Sequence, residues 1–196
     1  MAHTPAGLRG RLAGALLRAF GWRVDYLPPP GPKAVVVVYP HTSNWDFPVG
    51  VLGRAAIGLP LHFIGKHTLF RWPFGALFRW LGGIAVDRSV SSGLVEQLRA
   101  QFDAHEAFYL VITPEGTRSR TEAWRSGFYR LALAARVPVG LGFIDYGNKR
   151  LGIDTWLEPS GDPASDMARI GDFYADKRGL HPENAGPVRL RADSVT

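Results

Sequence analysis

Unbroken apolar runs alternate with stretches of helical periodicity along most of this 196-residue chain. The strongest run, Ala-Val-Val-Val-Val-Tyr at 34–39, is rich in β-branched residues and contains no charge, the pattern of a strand covered on both faces. Shorter runs predict strands at 61–64, 84–86, 108–113 and 137–144, and 151–157 would add another. Helices are predicted at 45–57, 91–105, 126–136 and 163–177. Strands alternating with helices specify an α/β fold, here a single domain with a mostly parallel sheet flanked by helices.

An amphipathic helix precedes this domain. Residues 7–22 place Leu8, Leu12, Leu16 and Phe20 in an i, i+4 row, flanked by Ala15, Ala19 and Trp22. The polar positions of this helix are mostly arginine and include no acid. That suits an anionic membrane interface, with Trp22 at headgroup depth; docking of the helix on the protein's own core is an equal reading. The chain therefore divides into a helix and linker at 1–33, the α/β domain at 34–178, and a segment at 179–196 whose Pro, Gly and charge predict a loose tail.

Composition narrows the class. With 46% hydrophobic and 20% charged residues the chain is not disordered, and without cysteine it is not a disulfide scaffold. No stretch approaches the roughly 18 apolar residues of a spanning helix, and no small-residue cleavage site follows an apolar N-terminal run, so a cytoplasmic location is expected. The net charge of +6 is uneven: residues 1–80 hold nine Lys/Arg against Asp25 and Asp46, while the remainder is nearly balanced. A basic half implies a polyanionic partner such as nucleic acid, an anionic membrane or a phosphorylated small molecule. The aromatics interleaved with arginines at 70–80 fit lipid headgroups and nucleobases equally well.

In parallel sheets, ligands gather beyond the carboxyl ends of the strands. His41 and Asp46 follow the valine-rich run as H-x4-D. A carboxylate that fixes an imidazole tautomer, leaving the other ring nitrogen to take a proton, is the minimum apparatus for general base catalysis. The bland alternative is that Ser43 and Asp46 form a capping box. Backbone N–H groups at the helix start after Ser43 are natural donors to an oxyanion.

A second strand end carries Pro114-Glu115-Gly116-Thr117-Arg118-Ser119-Arg120. There Gly116 permits a tight turn, Thr117 and Ser119 supply hydroxyl donors, and Arg118 presents a planar fork suited to phosphate oxygens. An internal Glu115–arginine pair is the competing reading. A third strand end brings Asp87 and Arg88, and Lys66 follows Gly65 at a fourth. One His–Asp pair converging with several cations argues for a site that abstracts a proton from a phosphorylated substrate. The remaining histidines (His3, His62, His67, His105 and His181) show no ligand spacing, so no metal site is expected.

The ordered set of H-x4-D (His41, Asp46), GIAVDR at 83–88, PEGTRS at 114–119 and Val137-Pro138-Val139 resembles the glycerophospholipid acyltransferases typified by 1-acylglycerol-3-phosphate acyltransferase. The family usually has Phe where Thr113 stands. The resemblance implies transfer of a fatty acyl group from acyl-CoA or acyl carrier protein to the hydroxyl of a lysophospholipid or related glycerophosphate, with no cofactor beyond the acyl thioester. In its terms His41 is the general base, Asp46 orients it, Arg88, Arg118 and Lys66 hold the acceptor phosphate, and Glu115 and Gly116 shape the binding turn. The expected partner is an anionic membrane, bound peripherally at its inner face. Nucleic-acid binding would leave His41 and Asp46 without a purpose. The rivals are a thioesterase or other hydrolase in which the same pair activates water, and a nonenzymatic basic membrane- or nucleic-acid-binding domain.

Overall fold

The computed structural model describes residues 7–86 and 93–191. In chain order its elements are α1 (Leu8–Ala19), β1 (Arg23–Tyr26), β2 (Lys33–Val38), α2 (Asp46–Ile57), β3 (Leu61–Lys66), a 3-10 turn (His67–Phe70), α3 (Gly75–Trp80), β4 (Gly83–Val86), α4 (Leu94–Ala104), β5 (Phe108–Ile112), α5 (Gly127–Ala135), β6 (Val139–Asp145), β7 (Arg150–Leu157) and α6 (Pro163–Tyr174). Among the described residues, the strands form one sheet in the order β1-β7-β6-β2-β5-β3-β4.

The valine run lies at the centre of that sheet because both of its faces are covered. Val35 and Val37 pack with Leu98 and Phe102 of α4, Phe128 and Leu131 of α5, and Ile170 of α6. Ala34 and Val36 point the other way, toward Ile57 of α2. Strand β2 pairs in parallel with β5 and β6, β5 with β3, and β3 with β4. The carboxyl ends of these five strands therefore share one edge of the sheet. Strand β7 runs antiparallel to β6, and β1 pairs in parallel with β7 at the sheet's border.

The structure differs from the sequence expectations in three places. Strand β1 was not expected: its Arg-Val-Asp-Tyr sequence has little apolar content, and its pairing with β7 depends on Gly152. That glycine sits opposite Asp25 at φ 155°, where a Cβ would collide with the Asp25 carbonyl.

Helix α1 docks on α2, but not through its leucine row. The buried residues are Gly10, Ala13, Gly14 and Leu17, a small-residue face that lets the two helices approach closely. Leu8, Leu12, Leu16 and Phe20 face outward, with exposures from 46% at Leu16 to 72% at Leu8. Trp22 is buried, edge-on to Tyr146 at 5.0 Å between ring centroids, so it does not sit at headgroup depth.

The third correction concerns the segment expected to be a loose tail from 179. Over residues 179–191 the chain is fixed by backbone groups that sequence patterning does not register. Trp124 N–H donates to Arg189 O at 2.7 Å, Arg191 N–H donates to Trp124 O at 3.0 Å, and the Tyr39 hydroxyl donates to Gly186 O at 2.8 Å. Residues 192–196 lie outside the described residues.

Candidate active site

His41 and Asp46 sit where β2 gives way to α2. Imidazole Nδ1 lies 3.0 Å from Asp46 Oδ2. A carboxylate only accepts hydrogen bonds, so Nδ1 carries the proton and, in the neutral ring, Nε2 presents its lone pair. The same Oδ2 accepts from Thr42 N–H at 2.9 Å and Ser43 N–H at 3.0 Å. The Ser43 contact is half of a capping box, but the Ser43 hydroxyl accepts from Trp45 N–H at 3.1 Å and not from Asp46. One carboxylate thus ties down the turn that leads into α2 and fixes the orientation of a histidine.

Asp46 is almost fully buried. Burial pushes its carboxyl up, but the hydrogen bonds from His41 and from Ser43 N–H, with the His41 charge, hold it below its ordinary value. His41 itself is 21% exposed and reachable from solvent. Of the N–H groups after Ser43, that of Trp45 is engaged by the Ser43 hydroxyl. Asn44 N–H makes no hydrogen bond among the described residues and is free to donate to an incoming oxygen.

Glu115 follows β5, the neighbour of β2, and its carboxylate ties the site together. Its Oε2 accepts from His41 N–H at 3.1 Å and its Oε1 from Gly186 N–H at 3.3 Å. Among the described residues it makes no ion pair with an arginine, the partner considered from sequence. Burial raises the Glu115 carboxyl above its ordinary value, opposed by these two bonds. Gly116 turns the chain at φ 70° and packs beside Arg125. Beyond it, Thr117, Arg118 and Ser119 form an exposed turn closed by Ser119 N–H donating to Thr117 Oγ1 at 3.3 Å.

Lys66 ends β3 on the same sheet edge as His41 and Glu115. Arg88 lies outside the described residues. Sequence reasoning missed the C-terminal segment, which reaches the site through Gly186 on Glu115 and through His181 N–H donating to Thr42 Oγ1 at 3.2 Å. It also missed Tyr146, although the strand-end rule applied to β2 and β5 points to it at the end of β6.

Residues 24–140, which contain His41, Asp46 and the Glu115 turn, match the acyltransferase family. The chain belongs to that family. The crystal structure of the 1-acyl-sn-glycerophosphate acyltransferase PlsC from Thermotoga maritima shares this fold, with a TM-score of 0.53 and 21% sequence identity over 86% of this chain and 75% of that one. No curated protein matches the chain by sequence. In this acyltransferase aromatic side chains flank Asp46 along the chain. Trp45, immediately before Asp46, is 66% exposed, and the Phe47 ring stacks edge-on with Phe63 and leans on Phe78 of α3.

Proposed function

We propose that the protein transfers a fatty acyl group from an acyl thioester of coenzyme A or acyl carrier protein to the hydroxyl of a lysophospholipid or related glycerophosphate. His41 Nε2 takes the hydroxyl proton as the acceptor oxygen attacks the thioester carbonyl. The tetrahedral intermediate then expels the thiolate, which the imidazolium protonates, so the net change is one ester formed and one thioester broken. Asp46 keeps the ring in the correct tautomer and offsets its charge during the step. The observation that carries this reading is the 3.0 Å contact between His41 Nδ1 and an Asp46 oxygen that two backbone N–H groups hold in place. An acceptor screen with one acyl-CoA, with product identified by mass, tests it. The reading expects a new lipid ester with a phosphorylated acceptor, and release of free fatty acid with every acceptor would refute it.

The acceptor phosphate falls to Arg118, Arg88 and Lys66, with Thr117, Ser119 and the Gly116 turn as further donors. Arg118 is exposed, and its side chain makes no hydrogen bond or ion pair among the described residues. Arg118→Ala should raise KM for a phosphorylated acceptor by roughly tenfold or more, the loss of one charge-assisted hydrogen bond, and leave thioester hydrolysis without acceptor nearly unchanged. Equal KM values for the two proteins would remove Arg118 from the phosphate site.

The lipid acceptor lies in a bilayer, and no helix among the described residues is long and apolar enough to cross one. Peripheral binding to an anionic membrane surface, at its cytoplasmic face, completes the proposal. Its support is the outward row of Leu8, Leu12, Leu16 and Phe20 with Arg9, Arg11 and Arg18 on the same helix, together with exposed Trp72, Phe74 and Trp80 beside Arg71 and Arg79. Each Lys or Arg near anionic lipid contributes about 1 kcal/mol, and inserted apolar side chains add a term insensitive to salt. Co-sedimentation with anionic vesicles should therefore weaken with salt without vanishing, and Arg11→Glu with Arg18→Glu should release the protein. No binding at low salt, or binding indifferent to these changes, would move the membrane-facing surface elsewhere.

A further inference from the structure

Asp46 uses its two oxygens unequally. Oδ2 receives His41 Nδ1 and the N–H groups of Thr42 and Ser43, while Oδ1 is buried with no conventional hydrogen bond among the described residues. The Tyr146 hydroxyl is likewise buried without a hydrogen-bond partner among the described residues, and its ring joins the same cluster as Val49 and Leu52 of α2, the helix that opens at Asp46, whose charge it feels. We propose that Tyr146 is a positioning residue whose phenol donates to the free oxygen of Asp46 and holds the carboxylate aimed at His41. This rests on the general-base reading of His41.

The fold fixes the Tyr146 ring for that task. Tyr146 follows β6, and its N–H donates to Arg178 O at 2.8 Å. The preceding residue, Asp145, is fully enclosed and accepts from Gly147 N–H at 3.0 Å, Asn148 Nδ2 at 2.8 Å and Arg178 N–H at 3.2 Å, which pins the turn on both sides. The ring itself is wedged edge-on against Trp22 within the cluster of Leu17, Ile144 and Leu151. Burial first, and then the Asp46 charge, push the phenol well above its usual value, so it stays protonated and able to donate.

Three donors pin Oδ2, but Oδ1 is left buried and unsatisfied. A donor there fixes the carboxylate from both ends and keeps it ionised, both needed when imidazolium forms on Oδ2. The titratable groups that bear on Asp46 are His41 from its own segment, Glu115 from the end of β5 and Tyr146 from the end of β6.

Tyr146→Phe keeps the ring against Trp22 and deletes only the hydroxyl. It should lower kcat by roughly tenfold with little change in KM. The acid limb of the pH–rate profile should move to higher pH, because the phenol is one of the groups holding the Asp46 carboxyl low. Substituting 3-fluorotyrosine at 146, a stronger donor, should move that limb the other way. Tyr129→Phe, which removes a buried phenol bonded to Asp166 and to no residue of the site, should leave kcat and the acid limb unchanged.

A second readout needs no substrate: the Asp46 carboxyl, followed by 13C NMR in ligand-free protein, should titrate higher in Tyr146→Phe than in wild type. If kcat, acid limb and Asp46 titration are all unchanged in folded Tyr146→Phe, the proposal is overturned. If the titration moves but wild type transfers no acyl group to any acceptor, Tyr146 stands as the partner of Asp46 and the acyl-transfer reading falls.

Discussion

Replacing His41 with alanine should lower acyl transfer by ~10²–10⁴-fold and leave the fold intact, the usual range for loss of a general base. The imidazole is partly exposed, and among the described residues its side chain bonds only to Asp46, so little packing is lost. The backbone N–H of residue 41 still reaches Glu115. Asp46→Asn is a sharper instrument. Its side-chain oxygen still satisfies the N–H groups of Thr42 and Ser43, but the negative charge that supports imidazolium is gone. That variant should fold, melt somewhat below wild type at neutral pH, where the ionised carboxylate contributes to stability, and turn over ~10²-fold or more slowly. Steady-state kinetics beside circular dichroism melts decides the matter, and wild-type turnover by folded His41→Ala would return the motif to a helix cap.

The largest stability effect is expected at Glu115. This buried carboxylate accepts the N–H groups of His41 and Gly186, and alanine would leave both donors unpaired. At about 1–3 kcal/mol for each orphaned group, Glu115→Ala should cost about 2–6 kcal/mol, a large part of the roughly 5–15 kcal/mol that holds a domain folded. Urea denaturation gives that figure. Limited proteolysis should find the segment near 179–191 more readily cleaved, because Gly186 loses one of its two ties.

The pH dependence separates the two acids. Glu115 is raised in the fold, so its contribution is fully present below its unfolded value and is lost as pH rises through the raised one. Asp46 is depressed, so its contribution is present at neutral pH and is lost as pH falls. Glu115→Ala should remove the first trend and Asp46→Asn the second. A Glu115→Ala protein as stable as wild type and equally resistant to protease would show that the carboxylate holds nothing together.

Much of this architecture was legible in the sequence, for identifiable reasons. Val35, Val36 and Val37 announced a central strand because a strand covered on both faces has no polar position to alternate with. His41, Asp46 and the Glu115 turn were legible because strand ends in a parallel sheet converge on one edge. Strand β1 was not, since Arg23 and Asp25 alternate in a strand held by border pairing and by the room that Gly152 leaves. Helix α1 was found, but periodicity identifies an apolar face without saying what covers it. The core took the face of Gly10, Ala13 and Gly14, which permits closer helix contact than the leucines would. The C-terminal segment escaped because its ties run through backbone groups of residues such as Gly186 and Arg189, and these leave no mark on residue type.

The central claim, acyl transfer by the His41–Asp46 pair, is tested most directly by following thiol release and ester formation together. The mixture would contain an acyl-CoA, 1-acylglycerol 3-phosphate presented in anionic vesicles, and either wild type or His41→Ala. The account predicts one ester for each thiol released by wild type and, with folded His41→Ala, neither product above background. Thiol released with free fatty acid and no ester, or equal ester formation by the two proteins, would contradict it.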